Sequence, residues 1–226
     1  NIFFIYILLL QNFNNLLIIT PSIWLANRVK SSFLTDKKIM TINNGIDNSN
    51  IFYMREYQDI QAKLNLSKEK IILAVAPNIM TIAKGGKFVI ELSKLFENDK
   101  SVKIILVGNK STERLYENII NVGIVSDPIE LSKYYSLASV FVIFSKSENY
   151  PTTCLESIAC NTPVFGFNVG GVTEASFGFG KFSNYGDITD VYLNIENYFD
   201  NKLIIKRNSK IDYSISKASM LERCIK

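Results

Sequence analysis

Glu148 and Glu156 stand eight positions apart in the segment ENYPTTCLE, with Asn149 beside the first of them. An ionised carboxylate offers about four acceptor positions, so one glutamate can take both hydroxyls of a sugar diol. Between the two, Pro151 suits a helix start, and Thr152 and Thr153 then fall in the first turn, whose amides lack intrahelical acceptors. Such amides, with the helix dipole behind them, favour an anion. The segment can therefore seat a diphosphate between two hydroxyl-binding carboxylates. Glu156 would serve a ribose, as acidic residues do in dinucleotide folds, and Glu148 a second sugar. The plainer alternative is ordinary charge on a surface helix. The setting favours chemistry, because the apolar run VFVIF precedes the pair and IACNTPVFGF follows it.

Two other loops add to the pattern. PNIMTIAKGG puts Lys84 directly before Gly85-Gly86 at a helix start, where an ammonium beside free amides makes an anion cradle. Its spacing is neither that of the P-loop nor that of G-x-G-x-x-G. FNVGGVTE sets Gly170-Gly171, a pair that tolerates positive φ and close approach to a ligand, ahead of Glu174. Glu174 is expected to bear on the sugar-carrying part of a ligand. The aromatics Tyr134, Tyr135 and Phe141 read as packing, and Cys154 and Cys160 as small core side chains.

The elements that must carry these loops alternate. LLIIT (16–20) reads as a strand and Ser22 as the cap of a helix bearing Trp24, Leu25, Val29 and Phe33 on one face. KIMTI (38–42) follows, then a turn at Asn44-Gly45. Strands are expected at 71–76, 103–108, 140–144 and 163–167, with helices at 85–97, 127–138 and 151–160. Strands alternating with ten-residue helices imply right-handed crossovers and a doubly wound parallel α/β sheet. In such sheets ligands sit beyond the carboxyl ends of the strands, where all three loops fall. Polar residues 53–70 read as a linker.

Composition narrows the chemistry. The 226 residues are 47% hydrophobic and 20% charged, which excludes global disorder. There is no histidine, so a Ser-His-Asp triad and most zinc and haem sites are excluded from this stretch. Three cysteines without C-x-x-C point to a reducing, cytoplasmic setting. The net charge of +4 is dispersed, so no nucleic-acid partner is expected. Residues 2–10 are apolar but about half the roughly 20 needed to span a bilayer. They read as a buried element of a fragment, or else as a peripheral anchor on the inner membrane face. No D-x-D occurs, so no bound metal is expected; no cofactor is expected either.

Taken together, these motifs resemble the retaining glycosyltransferases of family four, with the two-domain GT-B fold. The resemblance runs from about residue 16 to the end, and its specific part is ENYPTTCLES with IACNTPVFGFNVGGVTE. It implies that 1–52 is the tail of an acceptor-side domain, 53–70 a hinge, 71–208 the donor-binding Rossmann-like domain and 209–226 a helix returning to the first. It further implies that Lys84 and Glu148 act in catalysis, Lys84 on the donor diphosphate and Glu148 on the transferred sugar. Glu156 would hold the ribose and backbone near Val125 the base. Asn149, the amides of Thr152 and Thr153, and Gly170-Gly171 would complete the donor site. The donor implied is a UDP- or GDP-linked sugar and the acceptor a polysaccharide or lipid-linked glycan. The chain departs from the family beside Lys84. Position 83 is Ala, and no Arg or Lys lies between 71 and 83, where a second diphosphate cation is usual. A non-catalytic nucleotide-sugar-binding module is thus an alternative, and a flavodoxin-like domain with an unrelated ligand a third reading.

Overall fold

Short apolar runs and a few capping side chains decide where the elements begin. The computed structural model describes residues 10, 13, 15–111 and 116–206. The apolar start apart from Leu10, the closing segment 209–226 and Cys224 lie outside the described residues. β1 (Leu17–Thr20) leads into α1 (Ile23–Lys30), and β2 (Lys38–Thr41) pairs parallel with β1. The expected cap forms, since Ser22 Oγ accepts from Leu25 N at 3.0 Å.

α2 (Gln58–Lys63) forms within the polar stretch 53–70. Six residues cannot display a helical period, and one side chain, Ile60 at 3% exposure, ties the element to the core. The remaining elements are β3 (Lys70–Val75), α3 (Gly86–Leu95), β4 (Val102–Val107), β5 (Ile119–Gly123), α4 (Pro128–Leu137), β6 (Val140–Ile143), α5 (Thr152–Ala159), β7 (Val164–Phe167), α6 (Val172–Ala175), β8 (Gly180–Ser183) and α7 (Ile188–Phe199).

Strands β3 to β8 form one parallel sheet in the order β5-β4-β3-β6-β7-β8. The doubly wound α/β architecture expected from the alternation is the one that forms, with Rossmann-like strand order. Alternation along each strand feeds two cores. Ile71 and Leu73 of β3 pack on one side with α4 and α5, and Ile72 and Ala74 pack on the other with α3 and α7. Each fully buried aliphatic side chain contributes roughly 1.5–3 kcal/mol, so the central strands are the rigid frame. β5 and β8 escape the hydropathy pattern because they are the sheet edges and their residues are largely half-buried.

Strand order reverses between β3 and β6. The chain leaves these neighbours in opposite directions, and a crevice opens between the loops that follow them.

Candidate functional site

That crevice is where the predicted residues meet. Lys84 lies in the loop after β3 and Glu148 in the loop after β6, and Lys84 Nζ donates to Glu148 Oε1 at 2.7 Å. Two backbone devices bring together residues so distant in sequence. Lys146 N donates to Ala83 O at 2.9 Å, joining the two loops. Gly85, at φ 76°, starts α3 so close to the β6 exit that a Cβ there would lie 2.1 Å from Phe144 O. The side chains of Lys84 and Glu148 are 33% and 18% exposed, so the pair is partly shielded from water yet open to the crevice.

α5 starts at the same crevice. Pro151 precedes its first residue, Cys154 N donates to Pro151 O, and the first-turn amides of Thr152 and Thr153 have no intrahelical acceptor. Two adjoining cavities share these threonines. One, of about 190 Å³, is lined by Lys84, Glu148 and Phe144. The other, of about 500 Å³, is lined by Glu156, Val125, Ile124, Gly108, Asn78 and Lys110. The larger one lies within the roughly 300–1,000 Å³ usual for small-molecule sites. The first turn of α5 thus stands between a charged compartment and a more apolar one.

Glu156 is held rather than free. Tyr135 Oη donates to its Oε2 at 3.0 Å. Burial pushes the Glu156 carboxyl above the usual glutamate range, and hydrogen bonds from Tyr135 and Thr152 oppose that shift. Tyr135 packs in the core as expected, but its hydroxyl reaches Glu156, which its residue type and position along the helix give no reason to foresee. Gly108 and Lys110 also escaped the sequence reading. The available signal was a glycine closing the run KIILV at a parallel strand's carboxyl end, where a Cβ would meet Ala76 O at 1.9 Å.

The glycine loop approaches protein backbone. Gly170 has φ 58°, and a Cβ on it would fall 1.7 Å from Glu148 O; one on Gly171 would fall 2.0 Å from Asn149 O. Gly171 N donates to Glu148 O at 3.0 Å. The pair therefore pins the backbone that carries Glu148 and Asn149, and Asn149 itself is exposed.

Glu174 is engaged by the first turn of α1 and by Asn43. Its Oε1 and Oε2 each accept from Ile23 N at 3.0 Å, and Oε1 also accepts from Asn43 Nδ2 at 3.3 Å. A carboxylate at the first turn of α1 meets both the unpaired amides and the positive end of the dipole, and it is engaged there. Glu174→Ala is therefore expected to cost about 1–2 kcal/mol of stability. Urea unfolding would measure that loss; nucleotide affinity of the folded variant should not change.

Cys154 is buried, and burial pushes its thiol far above the usual range, so it is an inert core group. Among the described residues, no three His, Cys, Asp or Glu side chains are grouped to hold a metal ion, and no helix is long and apolar enough to cross a membrane.

A six-stranded parallel sheet with a crevice at its strand-order reversal, lined by free first-turn amides and two carboxylates, defines the class as Rossmann-like α/β. More than half of the chain, residues 56–176, matches the family model Glycosyl transferases group 1, and the chain belongs to that family. The N-acetyl-alpha-D-glucosaminyl L-malate synthase of Bacillus anthracis is 21% identical over 157 residues, 66% of this chain and 41% of that protein. Sucrose-phosphate synthase from Thermosynechococcus elongatus matches with a TM-score of 0.71 and 22% identity, over 86% of this chain and 52% of its own. Anabaena HepE, solved in complex with UDP-glucose, gives 0.68 and 16% over 88% and 57%. The chain spans about half the length of these relatives, and at such identities the structural likeness concerns the fold.

Proposed function

We infer that this chain is the donor-binding part of a retaining glycosyltransferase of family four. It would move a sugar from a UDP- or GDP-linked donor to a polysaccharide or lipid-linked acceptor. The observation that carries the reading is the convergence of the Lys84–Glu148 pair, the first turn of α5 and Glu156 on one crevice. The diphosphate lies on the Thr152 and Thr153 amides with Lys84 beside it. The ribose meets Glu156, the base lies along Val125, and the transferred sugar is held by Glu148 and Asn149, whose backbone Gly170-Gly171 secure. As the sugar–phosphate bond breaks, negative charge grows on the leaving diphosphate, and Lys84 with the helix amides stabilises it. No D-x-D is present to bridge a divalent ion, so binding is metal-independent in this reading. HepE, whose fold this chain shares, was solved with UDP-glucose, which supports a nucleotide-sugar ligand.

The same reading makes 1–52 the tail of an acceptor-side domain, 53–70 the hinge and 71–208 the donor domain. It sets the protein in the cytoplasm, with peripheral association to the inner membrane face. A second reading, a non-catalytic nucleotide-sugar module, is favoured by the lack of Arg or Lys from 71 to 83.

Titration of UDP and GDP with and without a chelator tests the site. Binding of one of them, unchanged by chelation, is expected. Binding of neither refutes the donor site, and binding lost on chelation refutes metal independence. Transfer by the full-length gene product, with the product's anomeric configuration read by NMR, separates a retaining enzyme from a binding module.

A further inference from the structure

Tyr135 is fully buried between two aromatic neighbours, yet its polar end reaches a side chain that lines the larger cavity. Its ring meets Phe52 and Phe141 edge-on, with centroids 6.3 and 5.5 Å away. Its carbonyl accepts from Thr162 Oγ1 at 2.6 Å, which fastens the backbone behind it. The ring is packed on two sides, and in this pose the hydroxyl donates to Glu156 Oε2. We propose that Tyr135 is a positioning residue of the nucleotide site, holding the Glu156 carboxylate in the orientation that accepts both hydroxyls of a ribose.

The inference rests on the assignment of Glu156 to the ribose and adds what makes that assignment selective. A packing role needs only the aromatic ring. The hydroxyl adds a constraint on a flexible side chain, because a glutamate at a cavity wall otherwise samples several rotamers and must be ordered on each binding event. Tyr135 occupies one of the roughly four acceptor positions of the carboxylate, on Oε2. Those that remain can take the two hydroxyls of a diol. Burial holds the phenol well above its usual range, so Tyr135 stays a donor at any working pH. It is supplied by α4 while Glu156 sits on α5, so the packing of two helices sets the carboxylate's direction.

The test compares UDP or GDP, whichever the wild-type chain binds, with its 2′-deoxy counterpart, which lacks one of the diol hydroxyls. Tyr135→Phe keeps the ring and its contacts. It should weaken binding of the ribonucleotide about tenfold, the scale of one hydrogen bond to a charged group. Binding of the deoxynucleotide should stay within about twofold, since the second hydroxyl is already missing. In the Glu156→Gln background, where the charged partner is gone, the same tyrosine change should have no further effect. Equal weakening of both nucleotides would make Tyr135 a structural residue, and no weakening of either would remove it from the site. A wild-type chain that binds the nucleotide without preferring ribose would overturn the Glu156 assignment, and this proposal with it. Binding of neither nucleotide would overturn the donor site itself.

Discussion

Glu148→Gln should nearly abolish sugar transfer while tightening the grip on a bare nucleoside diphosphate. The carboxylate lies 2.7 Å from Lys84 Nζ, so without donor it neutralises the cation that the proposed reading sets beside the diphosphate. The amide keeps the shape of the side chain and removes the competing charge. A partly exposed pair of this kind is worth about 0.2–1 kcal/mol, which caps the gain in nucleotide affinity at about fivefold. Transfer should fall roughly 10²–10³-fold, as on removal of one preorganised group at a reacting centre. Lys84→Gln should lower binding and transfer together, since it deletes the cation and spares the carboxylate. Calorimetry with UDP or GDP, and transfer by the full-length protein, give the two readouts. If Glu148→Gln weakens both in parallel, the carboxylate serves binding or folding rather than the transferred sugar.

Glu156→Ala is expected to remove about 1.5–3 kcal/mol of ribonucleotide affinity, the range for hydrogen bonds to a charged acceptor. Its pH dependence carries a sign that can be checked. Burial favours the protonated form, so the carboxyl titrates above the ordinary glutamate value of 4.5. Acceptance of a diol needs the ionised form. As pH falls through the raised value, the carboxylate gains a proton and its contribution to binding fades. A diphosphate also titrates near pH 6, so affinity alone mixes two events. The ratio of wild-type affinity to that of Glu156→Gln cancels the ligand's own titration and should shrink toward one on acidification, beginning above the ordinary range. A ratio that holds until the pH nears 4.5 would place Glu156 in open solvent, against its burial here.

The sheet itself was legible because parallel strands buried on both faces read as unbroken apolar runs. IILAVA, KIILV and VFVIF need no tertiary information to be recognised, and the helices between them dictate parallel crossovers. Strand ends then located the loops, so Lys84, Glu148, Glu156 and Thr152-Thr153 could be named from residue type and position. What stayed hidden was held by long-range contact. α2 depends on one buried isoleucine, and β5 and β8 depend on lying against β4 and β7, so their own residues carry little pattern.

The sequence alone therefore determined the fold class, the alternation and the candidate side chains, because periodicity and element ends are properties of neighbours along the chain. Only the tertiary structure decided how those side chains are used. Glu174 caps α1, since the fold brings Ile23 N within 3.0 Å of its carboxylate. Gly171 N bonds to Glu148 O and the Gly170-Gly171 backbone lies against that of Glu148 and Asn149, and Lys84 is paired across the crevice with Glu148. Tyr135, indistinguishable in sequence from Tyr134 beside it, alone reaches Glu156. These are distances between elements far apart in the chain, set by how helices and loops pack on the sheet, and no local pattern encodes them.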